Sequence, residues 1–196
     1  SIDYAIGLCT ASKGDVILVM PGHAETISSA GAIAVDVAGV QIIGLGVGAN
    51  RPVLTWATGT DATITVSAAN CRMSNMVFNL ALPSALISGI VVSAAGFEFD
   101  NNRVHIGTAG TGTRPLQFML TTAAANYLKV HDNQFLEPSA TPTTVSAAST
   151  VLKLVGGTGI QITRNTFCGW YTTSVGAITS ITTLNDNIEI SHNFIF

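Results

Sequence analysis

One pattern recurs along the chain and limits what it can fold into. It runs apolar, any, apolar, any, any, Asn, any, apolar. The pattern reads Phe97, Phe99, Asn102, Val104, and then Leu128, Val130, Asn133, Phe135. It returns as Ile160, Ile162, Asn165, Phe167 and as Ile188, Ile190, Asn193, Ile195. Two weaker copies precede these: Val40, Ile42, Leu45, Val47, and Cys71, Met73, Met76, Phe78. Successive copies start 26 to 32 residues apart. That uneven spacing suits coils with loops of different length better than helical repeats of fixed period.

A second alternating stretch sits before each copy: Ile33-Val35-Val37, Ile64-Val66, Ile90-Val92, Phe118-Leu120, Leu152-Leu154, and Ile178 with Ile181. Period-two alternation over short β-branched runs is the signal of half-buried strands. Residues 14–196 are therefore expected to be all-β, a right-handed parallel β-helix of about six coils. Each strand would pair with its equivalent one coil away, about 4.8 Å along the axis. The hand follows from the strong preference of parallel crossovers.

Stacked coils bury one continuous core that a single repeat could not. An Asn at the corner tolerates left-handed geometry, and its amide can bond a backbone group or the Asn one coil away. Asn102, Asn133, Asn165 and Asn193 are thus predicted to form a structural ladder. The ends of such a rod carry open strand edges that need covering. Ile2, Ala5, Ile6 and Cys9 lie at helical spacing, so residues 1–13 are read as an N-terminal capping helix. No capping sequence follows the last repeat, so another subunit or a continuation of the chain is expected there. Ser1 in place of Met fits a segment of a longer chain.

Between the two apolar residues of each copy an outward column runs Gln41, Arg72, Glu98, Lys129, Gln161, Glu189. Its charges (Arg72, Glu98, Lys129, Glu189) alternate in sign, which predicts a solvated ion-pair ladder contributing about 0–1 kcal/mol per pair. The neighbouring columns hold Asp100 beside His131, then Asn101, Asp132, Arg164 and His192. Two carboxylates and a histidine could serve acid–base chemistry or hold a cation. They are also the polar turn that any such coil must place before its Asn corner. Asp100, His131, Asp132 and Trp170 are the candidate glycan or cation cluster.

Only 10% of the residues are charged and 47% are hydrophobic, with a net charge of −3. A typical soluble domain carries about 25% charged residues. With 8 Lys+Arg there is no basic stripe for nucleic acid. No uninterrupted apolar run reaches membrane-spanning length. Cys9, Cys71 and Cys168 form no disulfide framework; Cys71 takes an inward position. Loops at residues 48–61, 79–88, 105–115, 136–149 and 168–176 are Thr-, Ser-, Ala- and Gly-rich and nearly uncharged. Trp170 and Tyr171 stand out there, as a hydrophobic anchor or a surface for stacking on a sugar ring. Gly44-Leu-Gly46-Val-Gly48 lacks the strand–loop–helix setting of a dinucleotide site and reads as a coil corner. His23 and Glu25 read as turn residues rather than a metal pair. No nucleophilic triad or dyad emerges from spacing, so no catalytic residue, metal or cofactor is assigned.

The opening Gly14-Asp-Val-Ile-Leu-Val-Met-Pro-Gly-His-Ala-Glu-Thr-Ile27, followed by Gly39-Val-Gln-Ile-Ile-Gly-Leu-Gly46 and Arg51-Pro52, resembles phage-encoded pectin-lyase-like β-helix virion proteins. The resemblance implies a right-handed parallel β-helix in a virion component, commonly trimeric. Lyases of the wider superfamily use clustered Asp ligands for calcium and an Arg or Lys at the cleft. Here Asp100 and Asp132 are the nearest approach to such a cluster, with Arg164 the nearby Arg. Two readings follow. One is a non-enzymatic capsid decoration (cement) protein in the virion, a homotrimer that contacts other phage structural proteins such as the major capsid protein. The other is a tail fibre or tailspike segment that binds or cleaves host polysaccharide through Asp100, His131, Asp132 and Trp170.

Overall fold

The computed structural model describes residues 1–56, 60–80, 86–106, 116–136, 150–169, 176–181 and 185–196. These wind into a right-handed parallel β-helix with three faces. Two sheets are seven strands deep and the third is six, and every pairing is parallel to the equivalent strand one coil away. Sheet A runs from Val16–Val19 to Glu189–Ser191, sheet B from Ala24–Ile27 to Phe194–Ile195, and sheet C from Ile33–Val35 to Ile178–Ser180. A small extra sheet pairs Gly157–Thr158 with Asn185–Asp186. No helix of the described residues is long and apolar enough to cross a membrane.

The repeat residues do what their periodicity predicts. Phe97, Phe99, Val104, Val130, Phe135, Ile160, Ile162 and Phe167 all lie inside, fully buried. Aromatic rings stack up the core: Phe118 contacts Phe78, Phe99 and Phe135, and Phe135 lies 4.8 Å from Phe167, nearly parallel to it. Such pairs add about 0.5–1.5 kcal/mol beyond their burial. In the sheet C strand Gln117–Thr121, Met119 and Thr121 pair with Ile90 and Val92. Leu120 is therefore left on the outer face with Val91 and Lys153 rather than facing in with Phe118.

The Asn ladder is continuous. Each side chain reaches back one coil. Its Oδ1 accepts the backbone N–H of the preceding corner and its Nδ2 donates to a carbonyl of the preceding sheet A strand. Asn133 takes the Asn102 N–H at 2.9 Å and donates to the Phe99 carbonyl at 2.8 Å. Asn165 does the same to Asn133 and Val130, and Asn193 to Asn165 and Ile162. Asn102 reaches the N–H of Met76, the residue that takes the Asn place in the weaker copy.

The ladder residue is not the left-handed one. Positive φ falls one position earlier, on Asn75, Asn101, Asp132, Arg164 and His192. That residue turns the chain, which frees the next side chain to point inward and be buried. A second left-handed corner precedes sheet A and carries Gly39, Asn70, Gly96, Tyr127, Gly159 and Asn187. Large and small residues alternate there, because a side chain on one rung lies over the glycine of the next. A Cβ on Gly159 would sit 2.7 Å from the Tyr127 ring. Left-handed backbone costs a side-chain-bearing residue about 1–2 kcal/mol, and least for Asn. Tyr127→Asn is therefore expected to raise stability by about 0.5–1 kcal/mol, and Gly159→Ala to lower it; urea unfolding of both variants checks the pair.

Two expectations need correction. The N-terminal helix covers Ile2–Ile6 rather than residues 1–13. Ser1 Oγ accepts the Tyr4 N–H at its start, and Ile2 and Ile6 are buried over the first coil. Gly7 follows, and the Leu8 and Cys9 N–H groups bond three residues back, closing tighter turns than a helix continues from. In the second coil Val47 is 78% exposed and belongs to no strand. An insertion with a short 3₁₀ turn at Gly48–Asn50 delays sheet B to Val53–Trp56, where Leu54 pairs with Phe78.

Candidate functional site

The ionisable groups gather on the outer face of sheet A and its corner with sheet B. The predicted column is real in register: Gln41 pairs with Arg72, Arg72 with Glu98, Glu98 with Lys129, Lys129 with Gln161, and Gln161 with Glu189. Of the predicted ion-pair ladder one rung forms among the described residues, Arg72 with Glu98. Arg72 Nε approaches Glu98 Oε1 at 3.4 Å, and the same oxygen faces His131 Nε2 at 3.3 Å. Lys129 is left exposed, and Glu189 receives a long bond from Gln161 at 3.5 Å. Lys129→Ala should therefore leave the unfolding midpoint unchanged within about 0.5 kcal/mol, measured in urea.

Arg72 also serves Asp100, and more closely. Its Nε and Nη2 donate to the two carboxylate oxygens at 2.8 and 2.7 Å, a bidentate pair. Ser74 Oγ and Asn101 Nδ2 donate to the same carboxylate at 2.9 and 2.6 Å. Asp100 is fully buried beneath these groups. Burial alone would push its pKa up. The bonds from Arg72, Asn101 and Ser74 outweigh that and hold it below the usual carboxylate value. Arg51, carried by the second-coil insertion, reaches across to the Asn101 carbonyl at 3.1 Å and braces the same corner.

Asp132 is the centre of a second group. Arg164 Nε and Nη2 donate to it at 2.9 and 2.8 Å, and His131 Nδ1 lies 2.7 Å away. The Arg164 bonds, aided by His131, hold its pKa at about 2 against slight desolvation. His131 thus bridges Glu98 and Asp132 and joins the two groups into one network.

This network brings together Asp100, His131 and Asp132 from the predicted cluster; Trp170 lies outside the described residues. What spacing missed is the diagonal reach of Arg72. Ser74 and Asp100 share a column two residues from that of Arg72 and Glu98, within range of a long side chain on a neighbouring strand. The register of the repeat already contains that adjacency.

The arrangement limits the chemistry. A general acid needs a carboxyl that keeps its proton near neutral pH; both Asp pKa values are displaced the other way. Ligating atoms of Glu98, Asp100 and His131 lie within 4.8 Å of one another, close enough to share a cation. The Arg72 guanidinium already rests against both carboxylates and supplies that positive charge. Beside it Gln41, Asn70, Arg72, Gly96 and Glu98 line a shallow polar recess.

Elsewhere the outer faces are almost uncharged. Sheet C presents Ala34, Thr65, Val91, Leu120, Lys153 and Thr179, and sheet B presents Val53, Val77, Arg103, Gln134 and Thr166 in one column and Thr55, Asn79, His105, Leu136 and Cys168 in the next. In comparisons with known proteins the chain matches no family model, no curated protein and no solved structure.

Proposed function

We propose that the chain is a non-enzymatic structural component of a bacteriophage virion, a capsid decoration protein that stabilises the shell as a homotrimer. The observation that carries this reading is how the charge is used. The sheet A network pairs buried Asp100 with Arg72 and, at the surface, Asp132 with Arg164, both within the one chain. Sheets B and C meanwhile offer outer faces of small, apolar and uncharged polar side chains, in which Arg103, His105 and Lys153 are the ionisable groups among the described strand residues. Ionised carboxylates locked to arginines suit a rigid girder better than a hydrolytic or eliminative centre. Uncharged side faces are what a closed ring of copies can bury without desolvating ions. The opening motif that resembles phage virion proteins supplies the setting.

Light scattering of the purified chain, alone and with phage capsids, tests the proposal. A trimer that co-sediments with capsids is the expected result. A monomer that ignores them would overturn it.

A further inference from the structure

We infer that the corner between sheets A and B carries an oxyanion site, in which Arg51 and Arg103 take up a phosphate or sulfate group.

The ion pairs of the sheet A network leave these two cations out. Among the described residues such pairs use His23, Arg72, His131 and Arg164. The acids of the corner are already taken, Asp100 by Arg72, Ser74 and Asn101, and Asp132 by Arg164 and His131. Arg51 is brought to the corner by the second-coil insertion. It stands two residues before Val53, which pairs with Val77, which in turn pairs with Arg103. Its side chain crosses the Asn75 rung and ends at the Asn101 carbonyl, where Nη1 donates at 3.1 Å. That carbonyl lies two residues before Arg103 in the chain.

The Arg51 guanidinium is underused. One neutral carbonyl is its hydrogen-bond acceptor among the described residues, and Nε is buried with no partner. Such an orphan is rare in folded proteins, and a bound ion or water is one of its usual accounts. Nε and Nη2 form the fork that grips two oxygens of a tetrahedral anion. Presenting that fork takes a rotation of the arm, which a single bond to a carbonyl resists weakly.

Arg103 is exposed at the start of its sheet B strand, between Val77 and Gln134, neither of them acidic. His105, the next outward residue, does not offset it: burial, and then the Arg103 charge, hold its pKa below the usual histidine value and keep it neutral. Two guanidinium groups brought to one corner without a carboxylate repel each other, and a multiply charged anion between them turns that repulsion into attraction. Exposed Gln134, one coil on, adds an amide donor. The site takes one anionic group; it has no basic stripe to follow a polyanion.

Inorganic phosphate, inorganic sulfate and methyl phosphate, each titrated into the intact chain against sodium chloride of equal ionic strength, test the site. The readouts are the arginine Nε–Hε resonances in nitrogen NMR and the thermal midpoint, which a ligand of the folded state raises by mass action. Expected are saturable shifts at Arg51 and Arg103, none at Arg72, and a rise in midpoint that chloride does not give. Arg103→Gln should weaken binding at least tenfold. That side chain is exposed and has no partner to lose among the described residues, so the variant folds as the parent does. Methyl phosphate binding as well as the free ion makes the ligand an ester group, and binding of the free ion alone makes it the ion itself; both uphold the site. Shifts no larger than with chloride, shifts that follow Arg164 instead, or unchanged binding in Arg103→Gln overturn the inference.

Discussion

Replacing Arg72 by Met is expected to destabilise the protein by about 3 kcal/mol, the cost of leaving a buried carboxylate without its partner. Arg72 itself is one-third exposed, so little of the loss comes from its own burial; the damage falls on Asp100, which is fully buried. Ser74 and Asn101 still donate to it, but neither carries charge. Urea unfolding at pH 7 reads the loss, and a midpoint within about 0.5 kcal/mol of the parent would refute the role given to Arg72.

The pH dependence gives this variant a second signature. In the parent the folded pKa values of Asp100 and Asp132 lie below the unfolded value of 3.8. The stability they contribute is present above about pH 4 and is lost as pH falls, for Asp132 down to about 2. In Arg72→Met, Asp100 keeps its burial and loses its main stabilising partner, so its folded pKa moves above the unfolded one. Its contribution then reverses sign and acid relieves the strain. The stability gap between parent and variant should therefore narrow between pH 6 and pH 3. A constant gap would mean that the variant loses packing rather than a charge partner.

Asn133→Ala is expected to cost about 2 kcal/mol, because it strands the Asn102 N–H inside the rod and removes the side-chain bond to the Phe99 carbonyl. Each unsatisfied buried group costs about 1–3 kcal/mol. Asn133 Nδ2 also donates to Asn165 Oδ1, so the change reaches the next rung. Asn193→Ala removes the same two kinds of bond at the partly buried end, where water can replace them. It should cost less than half as much. Comparing the two midpoints separates a buried ladder from a set of unrelated turn residues, for which the two variants would behave alike.

The repeat was legible because its information is local and redundant. Four copies place Phe99, Val130, Ile162 and Ile190 in one column, and register alone then predicts their pairing. Where the copies degrade, the reading slips. Val47 matches the pattern, but a corner insertion moves the inward position to Leu54, and only closure of the second coil reveals it. Spacing alone overextends the helix for a similar reason: Cys9 keeps helical spacing after Gly7 has already ended the helix.

The candidate site divides along the same line. That Arg72, Glu98 and Lys129 share a column, and Asp100 and His131 the next, follows from a period-two strand and a fixed coil offset. Which groups then pair does not follow, because register fixes backbones and leaves long side chains a choice of directions. Arg72 takes the diagonal to Asp100 because a buried carboxylate gains far more from a guanidinium than an exposed one does. Burial of Asp100 arises where Arg72 and Ser74 of the preceding coil and the neighbouring Asn101 close over it. The amino-acid sequence by itself determined the parallel coil, its core column and its Asn ladder, since each is set by residue type at a repeating distance. Only the tertiary structure decided where the left-handed residue sits, which carboxylate is buried and which cation neutralises it. Those depend on solvent exclusion, which no single repeat possesses until its neighbours are stacked upon it.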